Sequence, residues 1–365
     1  MAIYGWCIHT KGFRIVNGDL GAIDPQNCVP IYVIASTRTS TIPGISIAGA
    51  SPELTLYTPA LDVEYLVRGK PLSLDVIPVT PDGIPTPALL SRACLNLTGS
   101  KPLIVDAGSY IDPQISHVDL PSRCVGGAIG SEQALPLGTS IRLFNEGRVF
   151  GRNLGRSFKC VLIGESMPGG TTTAMSILTA LGYRAMVSSA SKENPLDLKR
   201  RVVGEAMKRL SNVSGVFEIN DMVGDPLHIS IAGIALGVLE RGSKVILAGG
   251  TQMAAVIALA KKIAKDLDGV FIATTRWVIE DRTADLPGMV REIAPEVGLA
   301  YVELDFSGSM YEGLRKYEEG YVKEGVGAGG TCLLAMLRGL SVDDVISSIY
   351  REYGVVIDAL KAKND

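Results

Sequence analysis

Histidine and paired cysteine are what this chain is short of. Its 365 residues hold three histidines (His9, His117, His228) and six cysteines (Cys7, Cys28, Cys94, Cys124, Cys160, Cys332), widely scattered and without a C-x-x-C pair. That scatter offers no zinc or iron–sulfur ligand spacing, and Cys160 and Cys332 fall in apolar runs that suit buried, inert thiols. Neither a metal nor a disulfide framework is expected. A surplus of positive charge is also missing: the net charge is -3, which gives no general attraction to nucleic acid or to an anionic membrane. The first residues lack the basic-then-apolar order of a signal peptide, and no apolar run reaches the ~20 residues of a membrane helix. Internal repeats and low-complexity tracts are absent. These absences point to a cytoplasmic protein that acts on a small molecule.

What is abundant is glycine and apolar residues, 41 glycines and 47% hydrophobic content, as in a tightly packed α/β protein with many short turns. From about residue 155 the pattern alternates strand, glycine turn and helix. Strands are predicted at 159–163, 244–248, 270–273 and 299–303, and helices at 171–181, 194–210, from 225 onward and 253–264. Asn194 and Asp225, each before a proline, are the expected N-caps. The first 150 residues are rich in Pro, Thr and Gly. They read as sheet edge plus a wrapping segment, extended over 47–53, a short helix at 58–65, a strand at 103–108 and a loop at 132–139. The expectation is an α/β fold, a doubly wound, mostly parallel Rossmann-like sheet flanked by helices, with a smaller subdomain from the N-terminal and C-terminal segments. Its divisions are 1–150, the nucleotide-binding core 151–340, and a C-terminal helix 341–365.

Two glycine loops stand before helices and carry one glutamate each. Gly164-Glu165-Ser166-Met167-Pro168-Gly169-Gly170-Thr171-Thr172 nearly fits the phosphate-cradling pattern G-x-x-x-x-G-K-[ST], but Gly170 stands where the lysine belongs. Without that charge, triphosphate hydrolysis is disfavoured and a lone monophosphate is the better match. A plain strand-to-helix turn accounts equally well for this loop alone. Lys323-Glu324-Gly325-Val326-Gly327-Ala328-Gly329-Gly330-Thr331 sets Glu324 among glycines, where backbone N–H groups can approach a ligand and a helix N-terminus favours an anion. Glu324 is either a general base or a favourable surface charge. Glu165 is either a second site carboxylate or a group orienting its loop. Gly249-Gly250-Thr251 repeats the turn after another strand. Asp106 at a strand tip and Lys192 after a serine run are further candidates for ligand contact.

The order of these pieces resembles the nicotinate-nucleotide–dimethylbenzimidazole phosphoribosyltransferases. Those enzymes carry a Gly-Glu-Met-Gly-Ile-Gly-Asn-Thr-Thr loop, to which Gly164–Thr172 is similar, and an Asp-Pro-Leu helix start, as at Asp225-Pro226-Leu227. Their late Leu-Gly-Glu-Gly-Thr-Gly-Ala motif resembles Val322–Ala328, and Leu103–Gly108 is similar to a Val-Val-Asp-Val-Gly segment. The likeness covers about residues 100–340. Pro168-Gly169-Gly170 departs from it, as do Ala248-Gly249-Gly250 and the first 100 residues, and no His-rich segment precedes the last motif. The resemblance implies transfer of phosphoribose from nicotinate mononucleotide to an aromatic nitrogen base, with Glu324 as catalytic base, no cofactor, and a homodimer. Gly164, Glu165, Gly169, Gly170, Thr171, Thr172, Gly249, Gly250, Gly325 and Gly327 would then hold phosphate and ribose, with Asp106, Lys192 and Thr251 as further contacts. A mononucleotide-binding regulatory protein, or a nucleosidase or transferase with another acceptor, is the alternative.

Overall fold

The computed structural model of the chain describes residues 9–10, 12–49, 51–80 and 83–364; Cys7, Ala50 and the side chains of His9, Thr10, Lys363 and Asn364 fall outside the described set. Among the described residues, nine strands form one sheet: β1 (His9–Thr10), β2 (Phe13–Asn17), β3 (Cys28–Ala35), β4 (Leu103–Gly108), β5 (Val118–Asp119), β6 (Cys160–Ser166), β7 (Lys244–Ala248), β8 (Val270–Thr275) and β9 (Gly298–Val302). Their order is β1-β2-β9-β8-β7-β6-β3-β4-β5. β9 through β5 run parallel, and β2 closes one edge antiparallel to β9. The chain winds from β3 outward through β4, then from β6 outward the other way through β7, β8 and β9. The reversal falls between β3 and β6, the place where a doubly wound sheet opens a crevice at its carboxyl ends.

Parallel strands are covered on both faces, so each reads as an apolar run whose alternate residues enter different cores. Val29, Ile31, Val33, Val161, Ile163, Val245 and Leu247 join one core, under the helices Thr139–Ser157, Gly170–Ala180, Pro226–Leu239 and Gln252–Ile263. Tyr32, Ile34, Leu162, Ile246 and Ala248 join the other, under Thr58–Arg68, Ala88–Thr98, Ala328–Leu337 and Val342–Asn364. The expected terminal subdomain is therefore one whole helical layer, made jointly by the two ends of the chain. The last helix opens with Ser341 and Asp344 bonding each other's backbone N–H, and buries Val345, Ile349 and Tyr353 in that core.

The expected N-terminal sheet edge needs correction. The first 150 residues supply edge strands, but they also supply β3, buried along its whole length between β6 and β4. A division at residue 150 falls inside the helix Thr139–Ser157. Asn194 is not an N-cap: its side-chain amide donates to Val187 O and to Thr283 Oγ1, and the helix begins at Leu196. Asp225 does cap, accepting from the His228 N–H.

The helices Thr139–Ser157 and Pro226–Leu239 touch backbone to backbone. A Cβ on Gly151 would lie 2.1 Å from Ile234 O, and one on Gly237 would lie 2.2 Å from Arg148 O. Gly151→Val is expected to cost roughly 3 kcal/mol in a denaturant titration, the upper end of ordinary overpacking. Gly204, mid-helix with nothing within 4 Å of a Cβ, gives the contrast: Gly204→Ala should gain about 0.5–1 kcal/mol.

Candidate active site

The carboxyl end of β6 opens into a cavity of about 620 Å³. One side of its floor is the end of β6, Glu165–Ser166, followed by Met167-Pro168-Gly169 and the start of the helix at Gly170. Gly250–Gln252, Ser188–Ala190 and Glu324–Val326 close further sides, and an apolar wall comes from the segments around Ile45–Leu54 and Leu74–Pro87. Asp62, Asp75, Glu165 and Glu324 line the cavity, and among the described residues no lysine, arginine or histidine does.

Glu324 sits on a backbone that L-residues seldom adopt: Val322, Lys323 and Val326 have φ of 65°, 61° and 48°. Such strain persists only where surrounding contacts over-determine it. Here Val322 N–H donates to Ala190 O, Val326 N–H to Glu165 O, and Ser91 Oγ to Val326 O. The loop can lie this close to the sheet because Gly327 meets Gly164, where a Cβ on Gly327 would be 3.0 Å from Gly164 Cα. The result aims the Glu324 carboxyl at the helix N-terminus, accepting from Gly325 N–H (3.2 Å), Gly329 N–H (3.1 Å) and Thr274 Oγ1 (3.2 Å). Burial nevertheless outweighs those bonds and pushes its pKa up to about 7.

Glu165 is buried beside it. Burial first, then the charges of Glu324 and Asp62, holds the Glu165 carboxyl well above the usual range. Asp62, raised to about 6 by burial, accepts from Ser166 Oγ and Thr86 Oγ1, both at 2.7 Å. The Gln252 amide bridges Glu165 Oε1 and His228 Nε2, at 2.9 and 3.1 Å. Gly170 has to be glycine for this, since a Cβ there would lie 1.9 Å from Gln252 Oε1. Two buried lysines stand behind the Ser188–Ala190 strap. Lys199 Nζ donates to Ser188 O and Lys323 Nζ to Ser189 O and Ser191 O; burial lowers both, Lys199 to about 7.

Of the residues singled out in the sequence, Glu165, Gly169, Gly170, Thr171, Gly250, Thr251, Glu324 and Gly325 line the cavity. Gly164, Thr172, Gly249 and Gly327 lie buried behind it. Asp106 lies elsewhere, held by Gly108 N–H, Ser109 N–H and Arg123 at the end of β4. Lys192 is half-exposed and pairs with Glu319 at 3.7 Å. Asp62, Gln252, His228, Lys199 and Lys323 were not expected. Lys323 adjoins Glu324 in the glycine loop, and Gln252 follows the Gly249-Gly250-Thr251 turn; the other three carry no motif in the sequence. Among the described residues Asp106, His117 and Asp119 bring three metal-ligand atoms within 4.8 Å of one another. The Arg123 guanidinium already pairs with both aspartates, at 3.1 and 2.9 Å, and occupies the place a cation would take between them.

A family model described as "Phosphoribosyltransferase" matches residues 96–278, half of the chain. The chain belongs to this phosphoribosyltransferase family. Its relatives include archaeal UPF0284 proteins. The one from Aeropyrum pernix is 51% identical, with 89% of this chain and 92% of the relative covered. The one from Pyrococcus furiosus is 46% identical, with 90% and 98% covered. Among solved structures the fold is shared with the nicotinate-nucleotide-dimethylbenzimidazole phosphoribosyltransferase of Thermus thermophilus, at TM-score 0.60 and 18% identity over 90% of this chain and 82% of that one. CobT from the same organism gives 0.57 and 20% over 87% and 85%. Among the described residues no helix is long and apolar enough to cross a membrane.

A carboxylate removed from water is a cost to the fold, and that cost depends on pH. Unfolded, Glu324 loses its proton near the ordinary 4.5; folded, near about 7. Between those values the folded state binds more protons, so stability falls as pH rises through the window and the loss is complete above it. Glu324→Gln removes that loss and is expected to gain on the order of 3 kcal/mol at pH 8 and little at pH 4.5. Thermal melts of both proteins at the two pH values measure it.

Proposed function

We propose that the cleft transfers the phosphoribosyl group of nicotinate mononucleotide to a benzimidazole-like nitrogen base, releasing nicotinate, as in cobalamin lower-ligand assembly. The observation that carries this reading is Glu324, a partly buried carboxyl with a pKa of about 7 that lines a cavity whose charged groups, among the described residues, are all acids. Acidic groups lining the cavity favour a positively charged ring and the positive charge that develops at C1′ of the ribose as that ring departs. The acceptor nitrogen attacks C1′, the bond from C1′ to the pyridinium nitrogen breaks, and its electron pair returns to the nicotinate ring. The acceptor's N–H proton passes to Glu324, which is half ionised near neutral pH and so suited to general-base work. The phosphate is placed against Gly169–Thr171 at the N-terminus of the helix Gly170–Ala180, beside the Ser188–Ala190 strap that Lys199 and Lys323 back. The apolar wall of Ile45, Ile47, Leu74, Ile77 and Val79 suits a flat aromatic acceptor. Leaving of an already cationic ring needs no further cofactor, and the family resemblance supports a cytoplasmic homodimer.

Nicotinate release from nicotinate mononucleotide, with and without dimethylbenzimidazole, tests this. Release should depend on the base, and kcat/KM should rise with pH through about 7 as Glu324 ionises. Glu324→Gln should lower kcat at least about a hundredfold with nucleotide affinity nearly unchanged. Saturable nucleotide binding without release, over a panel of bases, would instead identify a regulatory binding protein, and release without any base a nucleosidase.

A further inference from the structure

A run of buried polar groups leads from the cavity floor into the protein. Glu165 meets the Gln252 amide, Gln252 meets His228 Nε2, and His228 Nδ1 meets Asp225 Oδ2. His228 and Asp225 are fully buried, and neither lines the cavity. Asp225 is fixed in turn by the His228 N–H, which donates to its Oδ1 at 2.8 Å.

The Gln252 amide has a donor end and an acceptor end, and either end can face Glu165. With its NH2 toward Glu165, that carboxylate is ionised. The amide oxygen then accepts from Nε2–H while Nδ1–H donates to Asp225, so His228 is an imidazolium. With its oxygen toward Glu165, that carboxyl carries a proton and donates it, and the NH2 donates to a bare Nε2. His228 is then neutral, with its proton on Nδ1. Every group in the chain is satisfied in both arrangements. Both hold the same number of protons and the same net charge. They differ only in where one proton resides, on His228 or on Glu165.

We propose that Asp225, His228 and Gln252 form an internal proton store that switches Glu165 between a neutral acid and a carboxylate without drawing a proton from solvent. In the empty cleft the acidic groups facing Glu165 are Glu324 from its loop, Asp62 from the helix Thr58–Arg68, and Asp225 from below. All three favour the neutral acid. A cation entering the cleft, which rests on the proposed pyridinium donor, reverses that balance. The proton then withdraws to His228, and the carboxylate is left facing the positive charge. His228 and Gln252 act through Glu165 and are positioning residues.

The sign of one response separates this store from ordinary electrostatics, without substrate. Removing the negative charge of Glu324 by Glu324→Gln should, through space alone, make His228 hold a second proton less readily. Through the store it makes Glu165 ionise, and the proton moves to His228. Ring nitrogen shifts of 15N-histidine-labelled protein at pH 8 report the state. The chain has three histidines, and the His228 signal is identified by its loss in His228→Gln. The expected result is a neutral ring in the wild type, an imidazolium in Glu324→Gln, and no such gain when Gln252→Leu, or the longer Gln252→Met, is added. The proposal is overturned if His228 keeps one state in wild type and Glu324→Gln, or if its gain of a proton survives loss of the Gln252 amide. In the nicotinate-release assay His228→Gln should lower kcat about tenfold with KM within about threefold. A wild type that releases no nicotinate would end the functional reading while leaving the histidine result to be judged by itself.

Discussion

Everything at the cleft depends on two backbones meeting where neither has a side chain. Gly164 in β6 and Gly327 before the last core helix allow the Glu324 loop to lie directly on the sheet, and Val326 N–H then bonds the carbonyl of Glu165. That contact sets two buried carboxyl groups into one cavity. Their burial raises both, and each opposes ionisation of the other. A surface glutamate at a helix start would be a mild stabiliser. Here the same residue type is a costly group in a strained loop, held by hydrogen bonds from Gly325, Gly329 and Thr274.

The parallel half of the sheet is legible because each strand is a short apolar run, with glycine turns and helical periods after β6 and β7. β6, β7, β8 and β9 all fall within a few residues of their expected places. β3 was not legible. Cys28-Val29-Pro30-Ile31 carries a proline, which cannot donate to a ladder and so argues against an interior strand. Residues 36–56 that follow hold short 3-10 turns in place of the long helix that marks the other crossings. The glycine loops were read as ligand cradles, and part of that reading was of another kind. Gly164 and Gly327 are needed for backbone contact with each other, and Gly170 for room around Gln252. Composition and spacing carry no information about which neighbour a missing Cβ makes room for.

The polar layer beneath the cavity escaped the sequence for a related reason. A lone histidine inside an apolar helix and a glutamine after a glycine turn are ordinary one at a time. Only the fold brings His228, Gln252 and Glu165 into line, from two crossings of the sheet and the end of β6. Lys199 and Lys323 are similar. Each looks like one basic residue among many, yet both are buried and hold the same serine-rich strap by its carbonyl groups. Charge counting at the level of the chain gives a mild net of -3, whereas the cavity, among the described residues, has only acids for charged lining groups.

The helical layer built jointly by the two ends of the chain has a consequence for how the protein comes off the ribosome. β3 emerges early but its partner β6 lies more than a hundred residues downstream, and the layer over it needs Ala328–Leu337 and Val342–Asn364. Contacts so distant along the chain are slow to form, because a long loop must close before they are rewarded. The early segment must therefore wait, with the apolar strand Cys28–Ala35 only partly covered, until residues 328–364 have emerged. A nascent chain of this design has reason to lean on chaperones, and the cell has reason to make it quickly.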